Sequence, residues 1–149
     1  MTPDVPKVLN ALVGSLAMGV MQEVQTPFAQ QTVGLGAALL FFLSQDFDRS
    51  VSRLVEENAA TLELLSRGRV LVSDAALQDR IVELETRTFG SDLRVSALQR
   101  ENDELRGALI DVHAAVERLP GDEAVKLNDA IWDELRASTR RRHVESMVG

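Results

Sequence analysis

From Leu77 to Leu119, apolar or small residues recur at alternating intervals of four and three: Leu77, Ile81, Leu84, Thr88, Ser91, Val95, Leu98, Asn102, Leu105, Leu109, Val112, Val116 and Leu119. A spacing that averages 3.5 puts every one of these positions on one side of a helix and no other regular structure does so. Residues 73–119 therefore read as one helix capped by Ser73. The segment Phe89-Gly90-Ser91-Asp92 marks where a kink would fall. Two helices broken at Gly90 would have no reason to keep a common phase, so a continuous helix is the expectation.

The first half of the chain is helical by other signals. Thr2 as cap, Pro3 as first residue and Asp4 at the positive end of the dipole open a helix over residues 3–24. In it Ala11, Ser15 and Gly19 form a small-residue ridge ringed by Leu9, Leu12, Val13, Leu16, Val20 and Met21. A helix apolar nearly all round is expected to be buried. Thr26 and Pro27 open a second helix that meets no breaker until Gly68, its expected stop. Its front part is uncharged, with Gly34 and Gly36 placed to pack on the Ala11/Ser15/Gly19 ridge. Its rear part carries a second seam, Phe47, Val51, Leu54, Asn58, Thr61 and Leu65, again spaced by four and three. Pro120-Gly121-Asp122 makes a turn, with Asp122 capping a last helix to about residue 145. Val125, Leu127, Ile131, Trp132 and Leu135 form its expected inner side.

These lengths predict an all-α fold: an antiparallel helical bundle of two long and two shorter helices, one end extended as a coiled-coil-like hairpin. Residues 1–149 read as a single domain, with 1–45 and 92–149 forming the four-helix part and 46–91 projecting as the hairpin. A bare hairpin would leave a large apolar stripe in water, so a second copy is expected to cover it. The predicted dimer interface is Phe47, Val51, Leu54, Asn58, Leu65, Leu77, Ile81 and Leu84. Asn58 and Asn102 share one heptad position, where a buried asparagine fixes register and oligomer state; the alternative is a wet bundle edge.

Charge bounds the partners. The chain has 16 basic and 23 acidic residues, net −7, so duplex nucleic acid is not an expected partner. Residues 1–45 hold only Asp4, Lys7 and Glu23, whereas residues 136–149 are basic through Arg136, Arg140, Arg141 and Arg142. The basic segment is expected to complement the helix dipole. Fourteen of the basic residues are arginine, as a GC-rich bacterial genome would give. The longest strictly apolar run, Val33–Leu43, is shorter than the ~20 residues a spanning helix needs. A membrane is accordingly not an expected partner, and a cytoplasmic location is.

Catalytic chemistry finds little support. Cysteine is absent, which removes thiol nucleophiles and Cys-ligated metals. Neither a nucleophile elbow nor a phosphate-cradling glycine loop occurs. His113 with Glu117 has the spacing of two metal ligands on a helix, but reads better as an interfacial histidine beside the Leu109/Val112/Val116 stripe, paired with Glu117. Glu56/Glu57, Asp103/Glu104 and Asp133/Glu134 read as solvent-facing carboxylates, several with arginines at helical spacing: Glu63 with Arg67, Glu83 with Arg87, Asp133 with Arg136. No catalytic residue, cofactor or metal is assigned. The expectation is a non-enzymatic interaction protein, a scaffold, adaptor or accessory subunit, acting as a homodimer, with a second protein as a further partner. The alternative is a helical module that binds a hydrophobic small ligand or a membrane surface through its N-terminal helices.

Overall fold

A computed structural model describes residues 4–144, whose regular structure is all helical, with no strand among them. The chain forms two compact units, one from residues up to Ser50 together with His143 and Val144, the other from Val51–Arg142. The helices are α1 (Val5–Gly14), a π-helical stretch (Ser15–Val20) running into α2 (Met21–Glu23), then α3 (Pro27–Arg69), α4 (Ala75–Thr86), α5 (Val95–Val116) and α6 (Asp122–Arg141).

In the first unit Asp4 caps α1, its Oδ1 accepting the Lys7 amide at 3.2 Å. The expected cap and first residue, Thr2 and Pro3, lie outside the described residues. Pro6 is accommodated in the first turn, where no amide is needed. The π-helical stretch changes the expected packing. There the Met21 amide reaches back five residues to the Leu16 carbonyl, so the i, i+4 ridge is not continued regularly. Ala11, Ser15 and Gly19 are exposed. The α3 glycines instead meet larger side chains. A methyl on Gly34 would lie 3.5 Å from Met21 Cε, and one on Gly36 would lie 3.9 Å from Leu16 Cδ1. Ser44 Oγ donates to Asn10 Oδ1 at 3.1 Å. Thr26 caps α3 as expected, its Oγ1 accepting from the Ala29 amide.

In the second unit α3 runs past Gly68 to Arg69. Gly68 does not stop the helix. It is buried, and a methyl there would lie 2.4 Å from Val112 Cγ1, so its role is to let α3 and α5 approach closely. Asp74, not Ser73, caps α4, with Oδ1 accepting the amides of Ala76 and Leu77. The predicted helix over 73–119 is two helices. Residues 87–94 leave helical geometry, Gly90 takes φ +72°, and its amide is held by Glu101 Oε2 at 3.1 Å. An L side chain resists that backbone angle, so this glycine makes the break possible. The heptad phase nevertheless survives the interruption: Leu77, Ile81 and Leu84 before it and Leu98, Asn102, Leu105, Leu109, Val112 and Val116 after it are all buried, while Thr88, Ser91 and Val95 are exposed. The chain therefore has one long helix, α3, rather than two. Gly121, at φ +106°, turns the chain into α6.

The core of this unit draws on all four helices. Leu64 and Leu65 of α3, Ile81 and Leu84 of α4, Leu105, Leu109 and Val112 of α5, and Leu127 and Ile131 of α6 form one buried cluster. The inner side of α6 differs in part from expectation. Ala124, Leu127, Ile131 and Ser138 are buried, Leu135 is half-buried, and Val125 and Trp132 face water.

Candidate functional site

The most unusual polar arrangement in the second unit is centred on Glu57. Its side chain is 0% exposed, although a glutamate beside another glutamate reads from sequence as solvent-facing. Heptad arithmetic explains the position, because Glu57 immediately precedes the seam residue Asn58 and follows Leu54 by one turn. Arg142 grips the carboxylate with Nε on Oε1 at 3.1 Å and Nη2 on Oε2 at 2.7 Å. Ser138 Oγ donates to Oε1 at 3.0 Å, while Arg106 Nη2 and Asn102 Nδ2 each approach Oε2 at 3.5 Å. Burial pushes the Glu57 carboxyl up. The hydrogen bonds from Arg142 and Ser138, with the charges of Arg142 and Arg106, outweigh it and hold the carboxyl below its usual value. Both oxygens are engaged, so the group binds three helices together and offers no open acceptor to a reacting proton.

Beside it, Glu134 is ion-paired to Arg141. Here burial, aided by the negative charge of Glu57, holds the carboxyl above its usual value against the pull of Arg141. Two carboxylates in one cluster are thus pushed in opposite directions. The arginines expected to act on the helix dipole are used as specific partners: Arg142 for Glu57, Arg141 for Glu134 and Arg136 for Asp133. The Asp133–Arg136 pair is as expected, whereas Arg87 pairs with Glu104 rather than with Glu83. His113 Nε2 contacts Asn128 Oδ1 at 2.9 Å and Glu117 Oε1 at 3.6 Å, and its ring meets Trp132 edge-on. His143, by contrast, belongs with the first unit, where its carbonyl accepts from Arg49.

The predicted interface residues are placed mostly inside the chain. Leu54, Asn58, Leu65, Leu77, Ile81 and Leu84 are buried within one polypeptide, Val51 is half-buried and Phe47 is exposed. The stripe expected to wait for a second copy is already covered, because α5 and α6 pack on it. Asn58 and Asn102 lie neither at a copy-to-copy seam nor at a wet edge. Asn102 Nδ2 donates to Asn58 Oδ1 at 2.8 Å, and Asn58 Nδ2 donates to the Leu98 carbonyl at 3.2 Å. They set the register of α3 against α5 within the chain.

The uncovered surface lies elsewhere. From Val5 to Glu23 no residue is buried. Met18 is 79% exposed and Phe28 is 80% exposed. Val5, Val8, Leu12, Leu35, Leu39, Phe42 and Leu43 are also exposed. In the front part of α3 only Ala37 and Ser44 are buried. α3 holds an 18-residue window long and apolar enough to cross a membrane, and only 11% of that window is buried. Charged groups gather where α1 begins: Asp4, Lys7, Asp48 and Arg49 rim an open cleft of about 560 Å³ with Asn10, Phe41 and Ser44. The second unit has a pocket of about 250 Å³ between Val55, Leu62, Phe89 and Leu98, and open clefts of about 430 Å³ beside Leu77, Arg80 and Asp111 and of about 600 Å³ beside Leu62, Arg69 and Glu85. The sequence signal for the apolar surface was present as the absence of charge over residues 8–22 and 24–45. Reading it as a buried core assumed enough neighbouring helix to bury it. No protein-family model, curated protein or solved structure matches this chain.

Proposed function

We propose that this chain is a non-enzymatic interaction protein, an adaptor or accessory subunit, held at a lipid bilayer by α1, α2 and the front of α3 packed as an antiparallel pair. The observation that carries the reading is that residues 8–22 and 24–45 are free of charge and, Ala37 and Ser44 apart, not buried. A helix apolar on all sides belongs either in a protein core or in a membrane. Within this single chain the surface is not covered by other helices, which supports the second. The second unit supports the non-catalytic part, because its fully buried carboxylate, Glu57, is spent on Arg142 and Ser138.

A homodimer is the competing reading. Phe28, Leu35, Leu39 and Leu43 fall on one helical face and are exposed, so a second copy could cover that stripe. It would leave the remaining apolar surface of α1 and α2 wet. The two readings separate on vesicles of phosphatidylcholine and phosphatidylglycerol. Full-length protein is expected to float with them in a density gradient, while Leu35→Glu/Leu39→Glu protein stays in the aqueous fraction with its helical circular dichroism intact. Wild-type protein that remains aqueous and scatters light as a stable dimer would overturn the membrane reading.

A further inference from the structure

We infer that the first unit crosses the bilayer as a helical hairpin, with its turn at residues 24–26 on the far side and both open ends on the cytoplasmic side. This deepens the membrane-anchoring reading and rests on it. Length is the first support. The arm Val5–Glu23 and the arm over residues 27–45 each have 19 residues, roughly 28 Å at 1.5 Å per residue, against a hydrocarbon core of about 30 Å. The first arm is uncharged between Lys7 and Glu23; α3 itself continues to Arg69, so the second arm is bounded by the first charge after Gln45, at Asp46. Stretches near that thickness fit a span better than a helix lying in the interface, which has no length requirement.

Pairing is the second support. Asn10 with Ser44, Leu16 with Gly36 and Met21 with Gly34 set the arms side by side along their length. The Asn10–Ser44 hydrogen bond ties the arms together at their open end, beside the cleft rimmed by Asp4, Lys7, Asp48 and Arg49.

Charge gives the direction. Lys7 and Arg49 lie at the open end with Asp4, Asp46 and Asp48, and the turn end holds Glu23 and no basic residue. Orientation follows lysine and arginine rather than net charge, so the open end stays cytoplasmic. The polar residues near the turn are partly tied to backbone: Gln30 Nε2 donates to the Val24 carbonyl at 3.0 Å, Thr32 Oγ1 donates to the Phe28 carbonyl, and Thr26 Oγ1 accepts the Ala29 amide. These bonds reduce the number of backbone and side-chain groups that need water near the far surface.

The chain contains no cysteine, so single-cysteine variants read out directly. Gln25→Cys at the turn and Asp48→Cys at the open end are both exposed positions. Each full-length variant is expressed in bacteria and treated with a membrane-impermeant maleimide, in right-side-out and in inverted inner-membrane vesicles. Gln25→Cys is expected to label only in right-side-out vesicles and Asp48→Cys only in inverted ones. Gln22→Cys with Phe47→Cys provides a second pair should either first variant fail to accumulate. Labelling of both positions from the same side, with the protein still in the membrane fraction, would overturn the span and leave the anchoring intact. Recovery of both variants, and of wild type, in the soluble fraction would overturn the anchoring reading and the span with it.

Discussion

Arg142 closes on Glu57 across 85 positions of sequence, its Nε and Nη2 meeting the two carboxylate oxygens at 3.1 and 2.7 Å. The pair brings the end of α6 onto the middle of α3, with Ser138 and Arg106 completing the shell. Both arginines keep part of their side chains in water while the carboxylate has none. The stability of the cluster therefore depends mainly on what happens to the glutamate.

Glu57→Gln removes the charge and keeps the shape. It is expected to destabilise the protein at pH 7 by about 2 kcal/mol, the scale of a charge-assisted hydrogen bond. Glu57 sits below its usual value in the fold. Its contribution is thus present in full above the unfolded value of 4.5 and is lost as pH falls through the folded value. The deficit of Glu57→Gln should shrink accordingly between pH 7 and pH 3 in urea melts. Glu134 has the opposite sign. Its folded value is raised above 4.5, so its charged form is disfavoured at neutral pH and protonation relieves it. Glu134→Gln is expected to leave stability at pH 7 unchanged or increased, and to give up that advantage as the pH drops below the unfolded value.

Asn58 and Asn102 should behave as one unit. Alanine at either position strands a buried partner and is expected to destabilise by about 1–3 kcal/mol. The Asn58→Ala/Asn102→Ala double variant should be less destabilised than the sum of the singles, with a coupling of about 0.5–3 kcal/mol in a double-mutant cycle. Full additivity would mean that the 2.8 Å contact between them contributes nothing.

Gly68→Ala puts a methyl 2.4 Å from Val112 Cγ1. Helix propensity alone would make the substitution favourable. The overlap instead predicts a loss of about 1–3 kcal/mol, the usual size of an overpacking penalty. Val112→Ala removes the methyl it strikes, so the double variant Gly68→Ala/Val112→Ala should recover part of the loss measured for Gly68→Ala in the Val112 background. Thermal melts of the four proteins test this.

The heptad seams carried most of what could be read in advance. Leu54 and Leu65 on one helix, and Leu77, Ile81, Leu84, Leu98, Leu105, Leu109, Val112 and Val116 in one phase, were legible as the buried side, and they are buried, whereas Thr88, Ser91 and Val95 of the same phase are exposed. What the spacing could not reveal is the identity of the covering surface. A stripe looks the same whether α5 and α6 or a second copy closes it, and for that reason Leu77, Ile81 and Leu84 read as an interface. Phase also concealed the break at residues 87–94, since the chain resumes in register after it. The Glu57 cluster was illegible for another reason. Adjacent glutamates usually face water, and the compensating arginine comes from α6, far along the chain. The charge-free N-terminal stretch was plain in the sequence. Whether it is core or lipid-facing depends on how much protein surrounds it, which is a tertiary property.

The Glu57–Arg142 pincer also sets a timetable. A growing chain exposes position 57 long before the ribosome adds position 142, and until then the acid has at most the more distant Arg106 guanidinium to neutralise it in a dry interior. The second unit can therefore close this contact only late in translation, whereas its apolar heptads are on display from the moment α3 emerges.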